Sequence, residues 1–368
     1  MKSARFLFSL LILLGCSKSG NVKTGQGSAT NRELPLELFR EGNLAGYRDL
    51  GGQVAIKPQY VEAGDFSWGL ARVKPDAKRG WGYIDASGTE IIQPQYEAAG
   101  DFADGMTVVL SKGQFVYIGP DGSSLGMFEE DHPAKPLVAG DTLYVVHPNG
   151  LIVRASGDIN AAPVCQVPPD GAVQVASDAH AGPTATPDGL LGNWLFVRYH
   201  GKSGYLIDLY LSRYPQSREH QPVERYRLVG SSLNNDQYST YTLIKFATGG
   251  CTIEHAGPNW TEDREIVPDA TVDQVVARLK LYPAGATGSL LAAFNGISRT
   301  FVTQTGDSLS TTLRRDTEGF LNNLTVSKKN DIASIDITIN GNPTGGVEIV
   351  TTSSTQPTDS GQEPSNPL

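Results

Sequence analysis

An internal repeat with a period of 36 residues constrains the fold of this chain more than any other sequence feature. Residues 46–73 and 82–109 are identical at 14 of 28 aligned positions, and a degenerate third copy begins at Phe115. Three elements recur at this offset: Gly46–Asp49 as Gly82–Asp85, Ile56–Tyr60 as Ile92–Tyr96, and Ala63–Phe66 as Ala99–Phe102. Repeats of this kind bury a continuous core only by stacking on one another. The sequence therefore predicts short antiparallel strands whose aromatic side chains pack against the next repeat.

Glycines mark the expected turns of each repeat. Tyr-x-Asp followed by Gly52 or Gly88 indicates a strand that enters a hairpin, with glycine where the backbone needs a positive φ. Second turns are predicted at Gly69 and Gly105, with strands after them at 70–73 and 106–110. In the third copy, Pro120-Asp121-Gly122 supplies the turn.

The second copy contains Trp81-Gly82-Tyr83-Ile84-Asp85, and later Pro-x-Tyr and Phe-x-x-Gly elements. This pattern resembles the WG-repeat family over residues 38–126, although Ala45 replaces the tryptophan in the first copy and the third copy lacks the Trp-Gly pair. The resemblance implies an interaction or structural scaffold and carries over no catalytic residue. Trp68 is then either an exposed aromatic that grips a sugar or a peptide, or a member of the core between repeats, as Trp81 is expected to be.

The N-terminus predicts an exported and lipid-anchored protein. Lys2 and Arg5 precede an apolar segment at 6–14 that is too short to span a bilayer, as in a signal peptide. The ending Leu13-Leu14-Gly15-Cys16 resembles the lipobox of bacterial lipoproteins, which implies cleavage of residues 1–15 and lipidation of Cys16. Residues 16–37 are expected to form a flexible tether. In many bacterial lipoproteins an aspartate directly after the lipidated cysteine retains the protein in the inner membrane. Because Ser17 stands at this position, the resemblance favours the outer membrane, and it leaves open whether the protein faces the periplasm or the cell surface.

A second module is predicted at residues 141–214, where short β-strands follow at close spacing. Three blocks of this segment resemble bacterial SH3-like domains: Gly150–Ala155, Val164–Val175, and Trp194–Tyr199 with Gly201–Leu206 and Leu209–Leu211. The resemblance implies a small β-barrel. Such domains commonly recognise cell-wall peptides, and many others serve only as spacers.

Strand alternation places Trp194 and Tyr199 on opposite faces of the same strand. We therefore expect Trp194 and Tyr205 to close the barrel, and Tyr199 and Tyr210 to be the accessible ligand-binding candidates. The segment 176–193 is longer than a hairpin turn needs, and it is expected to be a loop that forms one wall of the binding surface.

Residues 222–352 have a β-rich composition with one helix and match no family that we recognise. Thr271–Lys280 begins with a capping box, Thr271 with Gln274, and has apolar residues on one face. Strands are expected at 225–229, 240–246, 289–294, 321–326, 332–339 and 347–351. Residues 353–368 carry three prolines and four serines without a hydrophobic run, which predicts a disordered tail.

Catalytic and metal motifs are weak in this sequence. Gly122-Ser123-Ser124-Leu125-Gly126 has the form of a nucleophile elbow, but it lies inside a β-repeat with no helix after it, so a hairpin turn is preferred. The six histidines show no metal-ligand spacing, and no metal or cofactor is expected. Glu254, Glu262, Asp263 and Glu265 surround His255 and Trp260, which suits sugar chemistry only if two carboxylates face each other; a solvated loop is the preferred interpretation.

Cys165 and Cys251 are the two other cysteines, and they either form a disulfide in the oxidising envelope or stay as buried thiols. Neither has the context of a peptidase nucleophile.

The preferred fold is a mainly β, multidomain protein: a WG-repeat array, an SH3-like barrel and a β-rich C-terminal domain. With 39 acidic and 30 basic residues, the net charge of −9 disfavours a nucleic-acid partner. The preferred function is a non-enzymatic cell-envelope lipoprotein that binds cell-wall peptide or glycan, with protein partners also open. The alternatives are a cell-wall-targeted hydrolase with a C-terminal catalytic domain and a surface adhesin-like protein.

Overall fold

The computed structural model describes residues 36–129, 135–234, 237–282, 290–291, 294, 298–302, 307–330, 333–341 and 346–355. The chain divides into two units, Met1–Leu34 and Pro35–Leu368, and every described residue belongs to the second. The expected signal peptide, Cys16, most of the tether and residues 356–368 of the expected tail lie outside the described residues. Residues 353–355 were also expected in the disordered tail, but they end the strand Val347–Thr355. None of the described helices is long and apolar enough to cross a membrane.

The repeats fold as predicted because an aspartate and a glycine shape the same turn in each copy. The Asp85 carboxylate accepts hydrogen bonds from the backbone N–H of Ser87 and Thr89, at 2.9 and 3.0 Å. Asp49 and Asp121 accept equivalent bonds in their own copies. Gly52, Gly88 and Gly122 have φ values of +82°, +85° and +79°, a region that L side chains rarely adopt. The predicted hairpins are therefore confirmed, and the Gly122–Gly126 motif is a turn with Ser124 already in the next strand.

The repeat array consists of short antiparallel strands. Their bounds are β1 Glu37–Glu41, β2 Leu44–Arg48, β3 Val54–Tyr60, β4 Glu62–Ala63, β5 Ala71–Lys74, β6 Trp81–Ile84, β7 Glu90–Tyr96, β8 Ala98–Gly100, β9 Thr107–Ser111, β10 Gln114–Ile118 and β11 Ser124–Met127. Strands β1–β3 form one sheet, β4–β7 form a second, and β8–β11 belong to a larger sheet.

Tyrosines and phenylalanines fill the core between repeats in the same way in both copies. The Tyr47 hydroxyl donates to the Gly64 carbonyl at 2.7 Å, and the Tyr83 hydroxyl donates to the Gly100 carbonyl at 2.7 Å. Each tyrosine also meets a phenylalanine edge-on, with ring centroids 4.7 and 4.9 Å apart. A buried tyrosine thus keeps its hydroxyl bonded while its ring fills the core.

The two tryptophans of the array lie in opposite environments. Trp81 is 1% exposed and belongs to the core, whereas Trp68 is 61% exposed. Gly82, which follows Trp81, has no room for a side chain, because a Cβ there would lie 2.6 Å from the Ile92 carbonyl oxygen. The Trp-Gly pair therefore belongs to the packing of the array.

The middle module is one antiparallel sheet of seven strands. Its strands are β12 Thr142–Val145, β13 Leu151–Arg154, β14 Pro163–Val167, β15 Ala172–Ala185, β16 Leu191–Tyr199, β17 Lys202–Ile207 and β18 Leu211–Ser212. The strand order is β14-β13-β17-β16-β15-β12-β18. Side chains from these strands, including Val153, Leu195, Val197 and Leu206, enclose a core of their own. Within the described residues the two outer strands are not paired with each other, so the sheet does not close into the expected barrel.

Residues 176–193 differ from the predicted loop. Strands β15 and β16 continue as a long hairpin with irregular register, and its turn is closed by the Thr186 N–H donating to the Leu190 carbonyl at 2.8 Å. Leu190 and Trp194 from this hairpin are both 1% exposed and pack with the C-terminal domain. Sequence pattern missed the extension because the residues that order the hairpin lie elsewhere in the chain.

The C-terminal segment adds nine described strands and one long helix. The bounds are β19 Pro222–Asn234, β20 Gln237–Phe246, β21 Cys251–Gly257, β22 Trp260–Val267, α2 Val272–Leu281, β23 Arg299–Val302, β24 Ser308–Arg315, β25 Leu321–Lys329, β26 Ala333–Gly341 and β27 Val347–Thr355, after a short helix α1 at Gln216–Glu219. The capping box of α2 is confirmed, with both Thr271 and Gln274 bonds present. The strand expected at 289–294 is wrong where it is described, since Leu290 and Leu291 are helical.

Repeat array and C-terminal strands share one sheet of thirteen strands. Its order is β11-β10-β9-β8-β19-β20-β21-β22-β27-β26-β25-β24-β23. The junction is the antiparallel pairing of Leu228 with Gly100 and Val229 with Ala99. The expected WG-repeat and C-terminal domains are therefore joined through a continuous hydrogen-bonded sheet, which a linear reading of the chain does not show.

Candidate functional site

A cleft lies where the middle module, the C-terminal sheet and helix α2 meet. Its cavity volume is about 430 Å³, within the range of small-ligand sites. Apolar walls come from Val146, Phe246, Ile266, Val267, Val275, Leu279 and Ile349, and polar groups come from Ser212, Arg213, Tyr214, Gln216, His220, Thr248, Glu265, Asp269, Arg278 and Tyr282. The cleft thus combines an apolar interior with charged and hydrogen-bonding groups of both signs.

Helix α2 supplies one wall through its periodicity. Val275 and Leu279 are one turn apart on one face of the helix, Arg278 lies beside them, and Tyr282 follows as the residue that caps the C-terminal end. The Tyr282 hydroxyl donates to the Val146 carbonyl at 3.0 Å, and Arg278 Nη2 donates to the Leu211 carbonyl at 2.8 Å. These two bonds attach the helix to the middle module, so they fix the width of the cleft.

An ion-pair network closes another side of the cleft. Arg213 lies 3.0 Å from the Asp141 carboxylate and 3.8 Å from the Asp269 carboxylate. The Arg213 side chain is 14% exposed, and the two carboxylates are 17% and 18% exposed. Since Asp269 belongs to the segment between β22 and α2, Arg213 joins the middle module to the C-terminal domain. We assign this network to holding the walls together.

The rim of the cleft carries a separate and more accessible pair. His220 Nε2 lies 3.6 Å from the Glu265 carboxylate, and their side chains are 71% and 33% exposed. The His220 ring also meets Phe246 edge-on at a centroid distance of 5.6 Å. A ligand that enters the cleft would therefore pass a carboxylate, an imidazole and an aromatic ring.

A second, shallower groove surrounds Tyr199, one of the two tyrosines that the sequence singled out. The groove has a volume of about 350 Å³ and is lined by Thr142, Ala172, Gln174, Arg198, Tyr199, His200 and Gly201. Tyr199 is half-buried against the core of the middle module and meets the His200 ring edge-on at 4.3 Å.

Tyr210, the other tyrosine, is not part of this groove. It packs against the hydrophobic cluster shared with the C-terminal domain and meets the His147 ring at 5.0 Å. Burial, with a contribution from Asp188, raises the pKa of the Tyr210 hydroxyl. Trp194 and Tyr205, which were expected to close the barrel, pack against that same shared cluster. The two candidate tyrosines thus serve different surfaces, because the C-terminal domain covers one face of the module.

The carboxylates near His255 and Trp260 form a paired hairpin of β21 and β22 instead of the expected loop. Glu254 lies opposite Asp263, while His255 lies opposite Glu262, so the two pairs project from opposite faces of the sheet. Burial and the neighbouring Glu254 raise the pKa of Asp263. Glu254 and Asp263 therefore face each other across the two strands, while Glu262 lies on the opposite face beside His255.

His255 occupies the other face of this hairpin among aromatic rings. It stacks on Tyr241 with centroids 3.9 Å apart and meets Trp260 edge-on at 4.6 Å. Burial lowers the pKa of the His255 imidazole. We interpret this arrangement as packing of the sheet face.

Both cysteines in the described part of the chain are free thiols. Cys251 is buried in a cluster with Leu243 and Ile253, whereas Cys165 is half-buried at the edge of the middle module's core. The structure therefore gives no support to the disulfide alternative. In the described residues, no group of three or more His, Cys, Asp or Glu side chains is arranged to hold a metal ion.

Two segments of the chain match a known family. Residues 46–78 and 81–114 each match the WG containing repeat. No curated protein and no solved structure matches the chain. The chain therefore contains two WG repeats within a β-rich repeat protein.

Sequence reasoning missed the main cleft. Its lining comes from five separate parts of the chain, around residues 146, 212–220, 246–269, 275–282 and 349, and no local motif joins them. The capping box of α2 was the one visible signal, and it located the helix without showing what the helix faces.

Proposed function

We propose that the protein is a non-enzymatic binding protein of the bacterial cell envelope, and that its cleft binds a short cell-wall peptide. The observation that carries the proposal is the mixed character of the cleft, whose apolar walls stand beside His220, Glu265 and Arg278, while Arg213 is paired with Asp141 and Asp269. Cell-wall peptides combine small aliphatic side chains with free ammonium and carboxylate groups. A site with both charge signs beside an apolar wall matches that chemistry better than it matches a neutral glycan.

The location of the cleft also supports a binding role. Ligand sites occur preferentially between domains, where a rigid scaffold can present groups from several segments. Here Arg213, Arg278 and Tyr282 fasten the walls to each other. At the rim, the His220 and Glu265 side chains are 71% and 33% exposed, so a ligand can reach both.

Two features of the sequence support the envelope setting. The lipobox-like ending at Cys16 would anchor the chain in a membrane, with the outer membrane favoured by Ser17. The middle module resembles SH3-like domains, which commonly recognise wall peptides. Under this proposal the WG repeats act as a scaffold beside the binding cleft.

The test uses the full chain in detergent and two matched substitutions. Thr248→Trp places an indole in the main cleft, and Thr142→Trp places one in the Tyr199 groove; both threonines line their cavities. Calorimetric titration with a synthetic wall pentapeptide that ends in D-alanyl-D-alanine, and retention on purified peptidoglycan, measure binding. We expect saturable binding that Thr248→Trp weakens at least tenfold and Thr142→Trp leaves unchanged.

If Thr142→Trp weakens binding and Thr248→Trp does not, the peptide binds in the Tyr199 groove and the cleft is rejected as its site. Absence of binding to both the pentapeptide and peptidoglycan would reject the wall-peptide proposal. Glu265→Gln adds a finer check. Loss of this carboxylate should weaken binding of the peptide that has a free amino group and leave binding of the acetylated peptide unchanged.

A further inference from the structure

Trp68 occupies an unusual place for a large aromatic residue. It is the first central residue of a two-residue turn, with φ of +53° followed by Gly69 at +76°. The turn is closed by two backbone hydrogen bonds between Ser67 and Leu70, at 2.9 and 3.1 Å. Turns of this type favour Asn, Asp or Gly in the central positions, because other side chains are strained at positive φ.

The next repeat shows that the turn itself does not require tryptophan. Asp104 and Gly105 occupy the same two positions, with φ values of +49° and +79°, and Ala103 and Met106 make the same pair of backbone bonds. The second copy therefore uses the residue type that the conformation favours. Packing of the array does not need the indole either, since Trp68 is 61% exposed.

The turn that carries the exposed indole is fastened to the second repeat. The Ser67 hydroxyl donates to the Phe102 carbonyl at 2.6 Å, which fastens the first turn to the second copy. The position of a Cβ on Gly105 would lie 3.9 Å from Cζ3 of Trp68, so the ring runs beside the neighbouring turn. A rigid aromatic loses little conformational entropy on binding, which is the property of an interface anchor.

The surroundings of Trp68 are acidic. Residues 64–72 and 100–107 contain three aspartates, Asp65, Asp101 and Asp104, and one cation, Arg72. All three aspartates are exposed. Arg72 forms an ion pair with Asp101 and its side chain is 15% exposed, so it is largely withdrawn from the surface. Three aspartates and one arginine leave these two turn segments with a net charge of −2, carried by Asp65 and Asp104 because Arg72 offsets Asp101.

We propose that Trp68 and the neighbouring aspartates form a docking site for a cationic segment of a partner protein, one that carries lysine or arginine side chains. An ammonium or guanidinium group over an indole face is attracted by the ring, and nearby carboxylates add to that attraction. This site lies on the repeat array and is independent of the cleft ligand. Under this proposal, the WG repeats of this chain bind a basic protein surface.

Quenching of the intrinsic tryptophan fluorescence of the full chain measures the charge around Trp68. Trp81 and Trp194 are each 1% exposed and Trp260 is half-buried, so Trp68 is the most accessible tryptophan. Relative to their quenching of free N-acetyltryptophanamide at equal ionic strength, caesium ions should quench this emission more effectively than iodide ions. Trp68→Phe should remove most of that difference.

Binding is then measured with octalysine as the probe. We expect saturable binding whose affinity falls as the salt concentration rises. Trp68→Asn and Asp104→Asn should each lower this affinity at least tenfold. Asparagine tolerates positive φ at both positions, so both variants keep the turns. Asp170→Asn is the matched control, because Asp170 also has positive φ, at +56°, but lies in the middle module; it should leave the affinity unchanged.

Three results would overturn this proposal. The first is octalysine binding that Trp68→Asn does not change. The second is quenching by iodide that exceeds quenching by caesium when both are expressed relative to free N-acetyltryptophanamide. The third is saturable, salt-independent binding of chitotetraose that is lost in Trp68→Asn and kept in Asp104→Asn, which would make the indole a glycan platform. Thr248→Trp should leave octalysine binding unchanged, so failure of the cleft proposal is distinguishable from failure of this one.

Discussion

Asp273 connects three parts of the structure, and its removal is the sharpest test of how they are held together. It lies in the first turn of helix α2 and is completely buried. One carboxylate oxygen accepts the backbone N–H of Leu191 at 2.9 Å, and the other accepts the backbone N–H of Leu321 at 2.7 Å. Leu191 begins strand β16 of the middle module and Leu321 begins strand β25 of the C-terminal sheet. One side chain therefore satisfies two amides that belong to different domains.

The expected effect follows from those two bonds. Asp273→Ala leaves two amides without their acceptor, at about 1–3 kcal/mol each, so we expect a loss of about 3–5 kcal/mol in the free energy of unfolding. Burial raises the pKa of Asp273, which means that the charged carboxylate also carries a desolvation penalty. Asp273→Asn removes that penalty and keeps one acceptor, so its loss should be smaller, about 1–3 kcal/mol.

Urea unfolding at pH 7, followed by tryptophan fluorescence, measures this effect, because Trp194 belongs to the same hydrophobic cluster as α2. Thr271→Ala is the control, since it removes the cap of the same helix without touching either amide, and it should lose about 1 kcal/mol. If Asp273→Ala loses no more than Thr271→Ala, the carboxylate does not tie the domains together and the reasoning fails.

Three further predictions concern pH, thiols and the membrane anchor. Burial raises the pKa of Asp208 from 3.8 to about 6, so the folded state binds this proton more tightly than the unfolded state. The free energy of unfolding should therefore fall as the pH rises from well below 4 to well above 6, by about 3 kcal/mol in total on account of this group, and Asp208→Asn should remove that part of the decline in urea midpoints. Alkylation under denaturing, non-reducing conditions should label both Cys165 and Cys251. In the folded protein Cys251 should react last, because burial raises its pKa to about 12. If neither thiol is labelled before reduction, the two cysteines form a disulfide and this prediction is wrong. Cys16→Ala should release the protein from membranes, and mass spectrometry that finds an unmodified Cys16 in the wild-type chain would contradict the lipid anchor.

Local signals predicted local structure well in this chain. The 36-residue repeat located the Gly88 turn, and the capping box located helix α2, because each depends on residues close together in the sequence. The hairpin of β21 and β22 was missed because its strands carry Glu254, Glu262, Asp263 and Glu265, which have a loop-like composition. Pairing with neighbours on both sides overrides that composition, as β-propensity depends strongly on context.

Contacts between distant segments decided what the sequence could not reveal about the sites. Alternation along strand β16 correctly separated Trp194 from Tyr199, but the face that carries Trp194 is buried by the C-terminal domain, so Trp194 does not enclose the module's own core. Tyr210 lies against the same domain. A pattern along one strand shows which residues share a face, and only the three-dimensional structure shows what covers that face.

The Trp-Gly pair of the second repeat has a role that explains why the first copy manages without it. Trp81 Nε1 donates to the Gly230 carbonyl at 3.2 Å, and Gly230 lies on β19, the strand that joins the C-terminal sheet to β8. Ala45 holds the equivalent position in the first copy and has no side-chain donor. Strand β4 of the first copy corresponds to β8 of the second. In the described part of the array β4 is the outer strand of its sheet, so no strand like β19 pairs with it. Tryptophan is therefore present in the copy where an indole N–H fastens the repeat array to the C-terminal domain, and alanine suffices in the copy where the described residues show no such strand to fasten.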